Sequence, residues 1–237
     1  MRPLLKKEAK DWKNCTPLHW AAKYGRKAVT RQLLEEGAEK ETQDSDGWRP
    51  LHWAVENGHE EVVRELLAAG ADKEAQPRYD CTWRPLHRAV ERDHKAIVWE
   101  LLAAGANTEA MDGYCWTPLA RAASDGNEGM VRELLAGGAD KEARVHGMTP
   151  LLWAVQDGHE AVVRRLLAGG ADKEARACDK TPLHWAAEHG HKAIARELIA
   201  AGADKEAKTS GGMLPLYLAT ERGHEAVTHL LNVGADF

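Results

Sequence analysis

Thr16-Pro17-Leu18-His19-Trp20-Ala21-Ala22 is the stretch on which the reading of this chain turns. It returns as RPLHWAV from Arg49 and RPLHRAV from Arg84, then as TPLARAA from Thr117, TPLLWAV from Thr149, TPLHWAA from Thr181 and LPLYLAT from Leu214. Successive starts lie 33, 35, 33, 32, 32 and 33 residues apart. A fixed period of about 20–50 residues marks one supersecondary unit stacked on itself. The units run over approximately 11–43, 44–76, 77–111, 112–143, 144–176, 177–208 and a degenerate 209–237. Together they use nearly all of the 237 residues as a single domain and leave no room for a second one.

The copy from Asp44 to Gln76 shows the physics. Asp44-Ser45-Asp46-Gly47 is turn chemistry. Pro50 suits the first position of a helix, where its missing N–H is an orphan anyway. In four other copies Thr precedes the proline and can cap the helix; Arg49 and Arg84 cannot do so by the same bond. The first helix is predicted from Pro50 to about Asn57, ended by Gly58. A second helix starts near His59 and carries Val62, Val63, Leu66 and Leu67 at helical spacing until Gly70 ends it. Asp72-Lys73-Glu74 then exits to solvent. Neither helix is long enough to be stable alone, so each must bury its stripe against neighbouring copies.

The TPLHxAAxxGH start, the VVxxLL second helix and the GAD exit, in phase over the whole chain, resemble the ankyrin repeat. The resemblance implies an all-α solenoid of stacked helix-turn-helix units with projecting β-turn fingers. It also implies a partner protein bound on the concave surface of fingers and first helices, and no family-wide enzymatic activity. Residues 1–10 read as the remnant of a preceding repeat, because Lys7-Glu8-Ala9-Lys10-Asp11 matches a repeat exit. Gly234-Ala235-Asp236-Phe237 stops as another exit begins, so either the chain is a piece of a longer array or its ends are weak and fray. Some arrays of this family are hydroxylated on an exit-loop asparagine. Here that place holds Glu41, Glu74, Glu109, Glu142, Glu174 and Glu206, and the modification is not expected.

Charge and motifs narrow the function. A net charge of −5 argues against a nucleic-acid footprint. No apolar run reaches the roughly 18 residues of a membrane span, and no secretory signal follows Met1. Cys15, Cys81, Cys115 and Cys178 show no CxxC spacing, which suits a reducing compartment, cytoplasmic or nuclear. Free thiols are expected even at Cys81 and Cys115, which sit in adjacent fingers. Nine of the twelve histidines fall at two repeat positions that resemble structural ones in ankyrins, where His bonds neighbouring turns. Only His146, His189 and His229 stand apart, and no two share a ligand spacing. HExxH, GxSxG, GxxxxGK[ST] and GxGxxG are all missing. A small enzyme or metal protein is therefore disfavoured, and neither cofactor nor metal is expected. Arg31, Arg64, Arg132, Arg164 and Arg196 read as a solvated second-helix stripe with weak ion pairs. Trp20, Trp53, Trp153 and Trp185 read as packing between neighbouring first helices.

Where the copies differ, a binding surface is expected. Trp48, Trp83 and Trp116 each precede the Thr/Arg-Pro of a first helix, and Tyr79 and Tyr114 lie in the same fingers as the last two. Repeats three and four also break the pattern most. Repeat three gains two finger residues, Asp93 replaces its helix-ending Gly, and Arg88 and Arg121 replace the Trp of TPLHW. Tyr, Trp and Arg are enriched in interface hot spots, and local rules tend to break at functional sites. Glu91, Arg92, Asp125, Asp157 and Glu188, near the ends of first helices, would add polar contacts. The expected partner is another protein, bound by a monomer, with no nucleic acid and no membrane. A spacer segment of a larger protein is the alternative, and mutual burial of the aromatic fingers would favour it.

Overall fold

The computed structural model describes residues 7–78 and 84–233. Among the described residues fourteen helices form seven pairs, and the chain divides into two compact units, residues 1–118 and 119–237. In the first unit the pairs are α1 (Pro17–Lys23) with α2 (Lys27–Glu35), α3 (Pro50–Glu56) with α4 (Glu60–Ala68), and α5 (Pro85–Glu91) with α6 (Lys95–Ala103). The division falls at the start of α7 (Pro118–Ser124), which pairs with α8 (Glu128–Ala136). The remaining pairs are α9 (Pro150–Gln156) with α10 (Glu160–Ala168), α11 (Pro182–His189) with α12 (Lys192–Ala200), and α13 (Pro215–Glu221) with α14 (Glu225–Val233). Among the described residues no sheet forms and no helix is long and apolar enough to cross a membrane.

Each helix stops where its terminator demands. At the end of α3, Gly58 takes φ 72°, its N–H donates to the Val55 carbonyl, and the His59 N–H reaches back to Ala54. Gly70 (φ 79°) ends α4 by the same pair of bonds. This αL closure satisfies carbonyls that a stopped helix leaves open. Asp93 (φ 54°) does the work of Gly58 in the third repeat, in a region that strains a residue bearing a Cβ.

First helices pack on first helices and second helices on second helices within each unit. The heptapeptide leucines Leu18, Leu51 and Leu86 are buried in the first unit, as are Leu119, Leu151 and Leu183 in the second. Val62, Val63 and Leu66, with Ile97, Val98 and Leu101, supply the buried stripe of the second helices. Fully burying such a side chain contributes about 1.5–3 kcal/mol, and only adjacent copies provide the cover.

Finger length selects turn geometry. The 32-residue spacings arise at Val145–Met148 and Ala177–Lys180, each closed as an isolated bridge around two residues. His146 and Gly147 (φ 51° and 82°) and Cys178 and Asp179 (φ 48° and 64°) both take positive φ, as a tight I′-like reversal requires. Three of the longer fingers instead turn on one carboxylate. Asp44 Oδ1 accepts the N–H of Asp46 (3.0 Å) and of Trp48 (2.8 Å), Asp11 Oδ1 those of Lys13 and Cys15, and Asp112 Oδ1 those of Tyr114 and Trp116. In these fingers the single positive-φ position is Gly47, Asn14 and Cys115 respectively.

Candidate functional site

The histidines are structural, and their partners fix their charge. His19 Nδ1 accepts the Thr16 N–H at 3.1 Å, while Nε2 lies 3.1 Å from the Trp48 carbonyl of the next finger. His52 repeats this with the Arg49 N–H (2.8 Å) and the Ala75 carbonyl (2.9 Å), and His184 with Thr181 (3.2 Å) and Met213 (3.1 Å). A carbonyl can only accept and a backbone N–H can only donate, so each ring must be the neutral Nε2–H tautomer. Burial, the largest cause, pushes all three pKa values down, that of His52 to about 4. The imidazole completes a capping box with the threonine before the proline: Nδ1 accepts the N–H of that residue and lies 2.8 Å from the Thr16 and Thr181 hydroxyls, and in α9 the Thr149 hydroxyl accepts the Leu152 N–H at 3.4 Å. Arg49, at the same position, pairs with Glu41 (2.6 Å) and Asp72 (3.1 Å).

The second histidine series locks neighbours from the other side. Nε2–H of His59 donates to the Lys23 carbonyl (3.0 Å), that of His159 to Ser124 (2.8 Å) and that of His224 to Glu188 (2.9 Å). The ring lies so close that a Cβ on Gly25 would come within 2.7 Å of His59 Nδ1. Among the described residues no group of three or more His, Cys, Asp or Glu is placed to hold a metal ion.

The second-helix arginines lie at exposed positions and pair with glutamates, several of them across repeats. Arg31 pairs with Glu65 and Arg64 with Glu100 (2.6 Å) in the first unit, and Arg164 with Glu197 (3.1 Å) in the second. Arg165 stands in the register of Glu65, so Arg132 turns to Glu133 (2.8 Å) and Arg165 to Glu128 (2.8 Å). The exit glutamates bind backbone: Glu41 accepts the Asp72 N–H (2.9 Å), Glu74 that of Asn107 (2.8 Å), Glu142 that of Asp172 (2.8 Å) and Glu174 that of Asp204 (2.8 Å). Glu8 does the same for Glu39 (3.0 Å).

The expected binding residues divide into several groups. Tyr79 and Trp83 lie outside the described residues, as does Cys81. Tyr114 is 64% exposed, and Trp116, in the same finger, is half-buried. Trp48 is half-buried because its ring packs on Trp53, centroids 4.7 Å apart. Arg88 and Arg92 are engaged within the first unit: both pair with Glu56, and Arg88 also with Glu91 (2.6 Å). In the second unit Glu188 is held by Lys180 and Arg222 (3.1 Å), and exposed Asp157 accepts from the Ser124 hydroxyl (2.8 Å). Arg121 is half-buried and Asp125 exposed. Cys15, Cys115 and Cys178 are free thiols; burial, then Asp11 and Asp44, raises the Cys15 pKa to about 11, which makes it a poor nucleophile.

The tryptophans of the heptapeptide reach their fingers as well as the neighbouring first helix, where Lys23 of α1 lies over the Trp53 ring of α3. Trp20 and Trp53 are tied to their own fingers: their indole N–H groups donate to Asp11 (3.0 Å) and Asp44 (2.9 Å). Trp153 and Trp185 pack on Met148, Leu152, Ala175 and Ala177, and the Trp153 indole N–H likewise donates to its own finger, at the Val145 carbonyl (3.3 Å). A feature missed in the sequence lies between the first two fingers. Trp12, Lys13, Cys15, His19, Trp20, Lys23, Asp46 and Trp53 line a cavity of about 160 Å³. The signal for it was Lys23, where other copies carry Glu56, Glu91 or Glu188.

Comparison with known proteins agrees with this architecture. A family model for ankyrin repeats, in three copies, matches residues 1–77, 39–112, 86–177 and 170–237. The crystal structure of the ankyrin repeat domain of Bcl-3, described as a unique member of the IkappaB protein family, superposes with a TM-score of 0.82 at 30% identity, over 92% of this chain and 98% of that one. The human ASB11 ankyrin repeat domain superposes with a TM-score of 0.72 at 26% identity, over 92% of this chain and 97% of that one. No curated protein sequence matches significantly. Ankyrin repeat domains are generally protein–protein interaction modules. On its repeated heptapeptide, its paired helices and these matches, the chain belongs to the ankyrin repeat family.

Proposed function

We propose that this chain is a non-enzymatic scaffold that binds a partner protein through its fingers and the ends of its first helices. The observation that carries the reading is the contrast in finger four. Tyr114 there is exposed and Trp116 half-buried, while the residues every copy shares are buried or bonded to backbone. Trp48, Tyr79, Trp83, Glu91 and Arg92 supply the remaining contacts of the first unit, and Arg121, Asp125 and Asp157 those of the second. Arg88, Arg92 and Glu188 are already paired within the fold, so they act by presenting a fixed charge pattern rather than as free hooks. The packing of Trp48 on Trp53 favours the spacer reading at that one finger.

The test is affinity capture from the source cell with wild type and a folded Tyr114→Ala/Trp116→Ala protein, read by mass spectrometry. A hot-spot aromatic contributes about 2 kcal/mol or more, so the partner should be lost from the double variant. Recovery of every partner by the variant at wild-type levels would remove finger four from the interface.

A further inference from the structure

The cavity between fingers one and two is built of three indoles, and the chain's own cations sit on all three. Lys23 Nζ lies 4.3 Å from the centre of the Trp53 ring and 5.3 Å from that of Trp20. Lys13 Nζ lies 4.9 Å from the Trp12 ring, which is 86% exposed. The rings are held rigidly. The Trp20 and Trp53 indoles are anchored by N–H bonds to Asp11 and Asp44, Trp53 is backed by Trp48, and Trp20 stacks on Tyr24 at 5.8 Å. The Asp11 and Asp44 carboxylates are consumed by these bonds and by their own turns, but among the described residues the Asp46 carboxylate at the rim accepts none.

Aromatic faces attract cations through the ring quadrupole, and a planar guanidinium both stacks on indole and matches a carboxylate with paired N–H groups. We propose that this cavity is a recognition pocket for an arginine side chain of a partner protein. The guanidinium stacks on Trp53 between Trp12 and Trp20 and donates to Asp46, and Lys23 is a self-ligand that the arginine displaces. The pocket rests on the reading of the chain as a protein-binding module but lies in different repeats from finger four.

The test uses N-acetyl-arginine methylamide as probe, followed through the indole N–H signals of isotopically labelled protein. The expected result is a saturable shift of the Trp12, Trp20 and Trp53 signals, absent with the uncharged citrulline analogue and with the phenylalanine analogue. Lys23→Ala vacates the seat and should tighten binding roughly two- to fivefold, the value of one exposed cation–π contact. Asp46→Asn and Trp12→Ala, both at exposed positions, should weaken it by a similar factor with the fold intact by circular dichroism. Equal binding of citrulline or phenylalanine analogues, or no saturable shift in the Lys23→Ala protein, would overturn the proposal. Failure here leaves partner capture through finger four untouched, and loss of that capture leaves this titration standing.

Discussion

At the scale of single residues, the buried imidazole is the part that decides most. His52 bonds one donor and one acceptor and has no place for a second proton. Its folded pKa of about 4 lies below the unfolded value near 6.5, so the unfolded chain binds more protons between those values. The stability it contributes is therefore complete above about pH 6.5 and is lost as pH falls towards 4, to the extent of about 3 kcal/mol. His19, His87 and His184 shift in the same direction for the same first cause, burial. Urea unfolding across this range should show the midpoint falling steadily below pH 6.5. A midpoint flat down to pH 4 would show that these rings accept their protons in place. Not all histidines are satisfied: His87 Nδ1 and His94 Nε2 are buried without a hydrogen-bond partner among the described residues, both in the third repeat, where the pattern is most broken.

At the scale of elements, the fingers carry the strain. Cys115 (φ 60°) occupies the position that Gly47 (φ 79°) fills in finger two, and Cys178 (φ 48°) opens the tight reversal of finger six. Both side chains are exposed and free, so their removal forfeits little packing. Cys115→Gly and Cys178→Gly should each stabilise the protein by about 1 kcal/mol, seen as a higher melting temperature. An unchanged or lower melting temperature would mean the strain is relieved by contacts of the thiol. Finger geometry was only partly legible beforehand. The turn residues announced a reversal at Asp44–Gly47. The 32-residue spacings, however, did not say that the lost residue would convert a carboxylate-centred turn into a two-residue bridge.

For the whole molecule, the period made the helices and their buried stripes readable, because each copy repeats the same Pro, Gly and leucine punctuation. The destinations of the charged side chains were not readable. Whether Arg64 meets Glu100, or Glu41 meets the Asp72 N–H, depends on the lateral offset between repeats, which no single copy encodes. The cavity of Trp12, Trp20 and Trp53 escaped for the same reason: its walls come from two fingers and two successive first helices. The arginine stripe looks extensive, yet its guanidinium groups are more than half exposed at Arg31, Arg64 and Arg164. Exposed pairs contribute little and are screened, so raising salt to about 1 M should lower the unfolding free energy by no more than about 1 kcal/mol. A loss of several kcal/mol in salt-dependent denaturant melts would show the stripe acting as a cooperative network.

The ties formed by His19, His59, Glu142 and Glu174 end on main-chain atoms of the adjacent repeat, not on its side chains. A fastening that grips only peptide groups is indifferent to which amino acids the neighbour wears. Copies can thus be duplicated, deleted or shuffled in the gene without redesigning the seam, and each is left at liberty to mutate its outward surface.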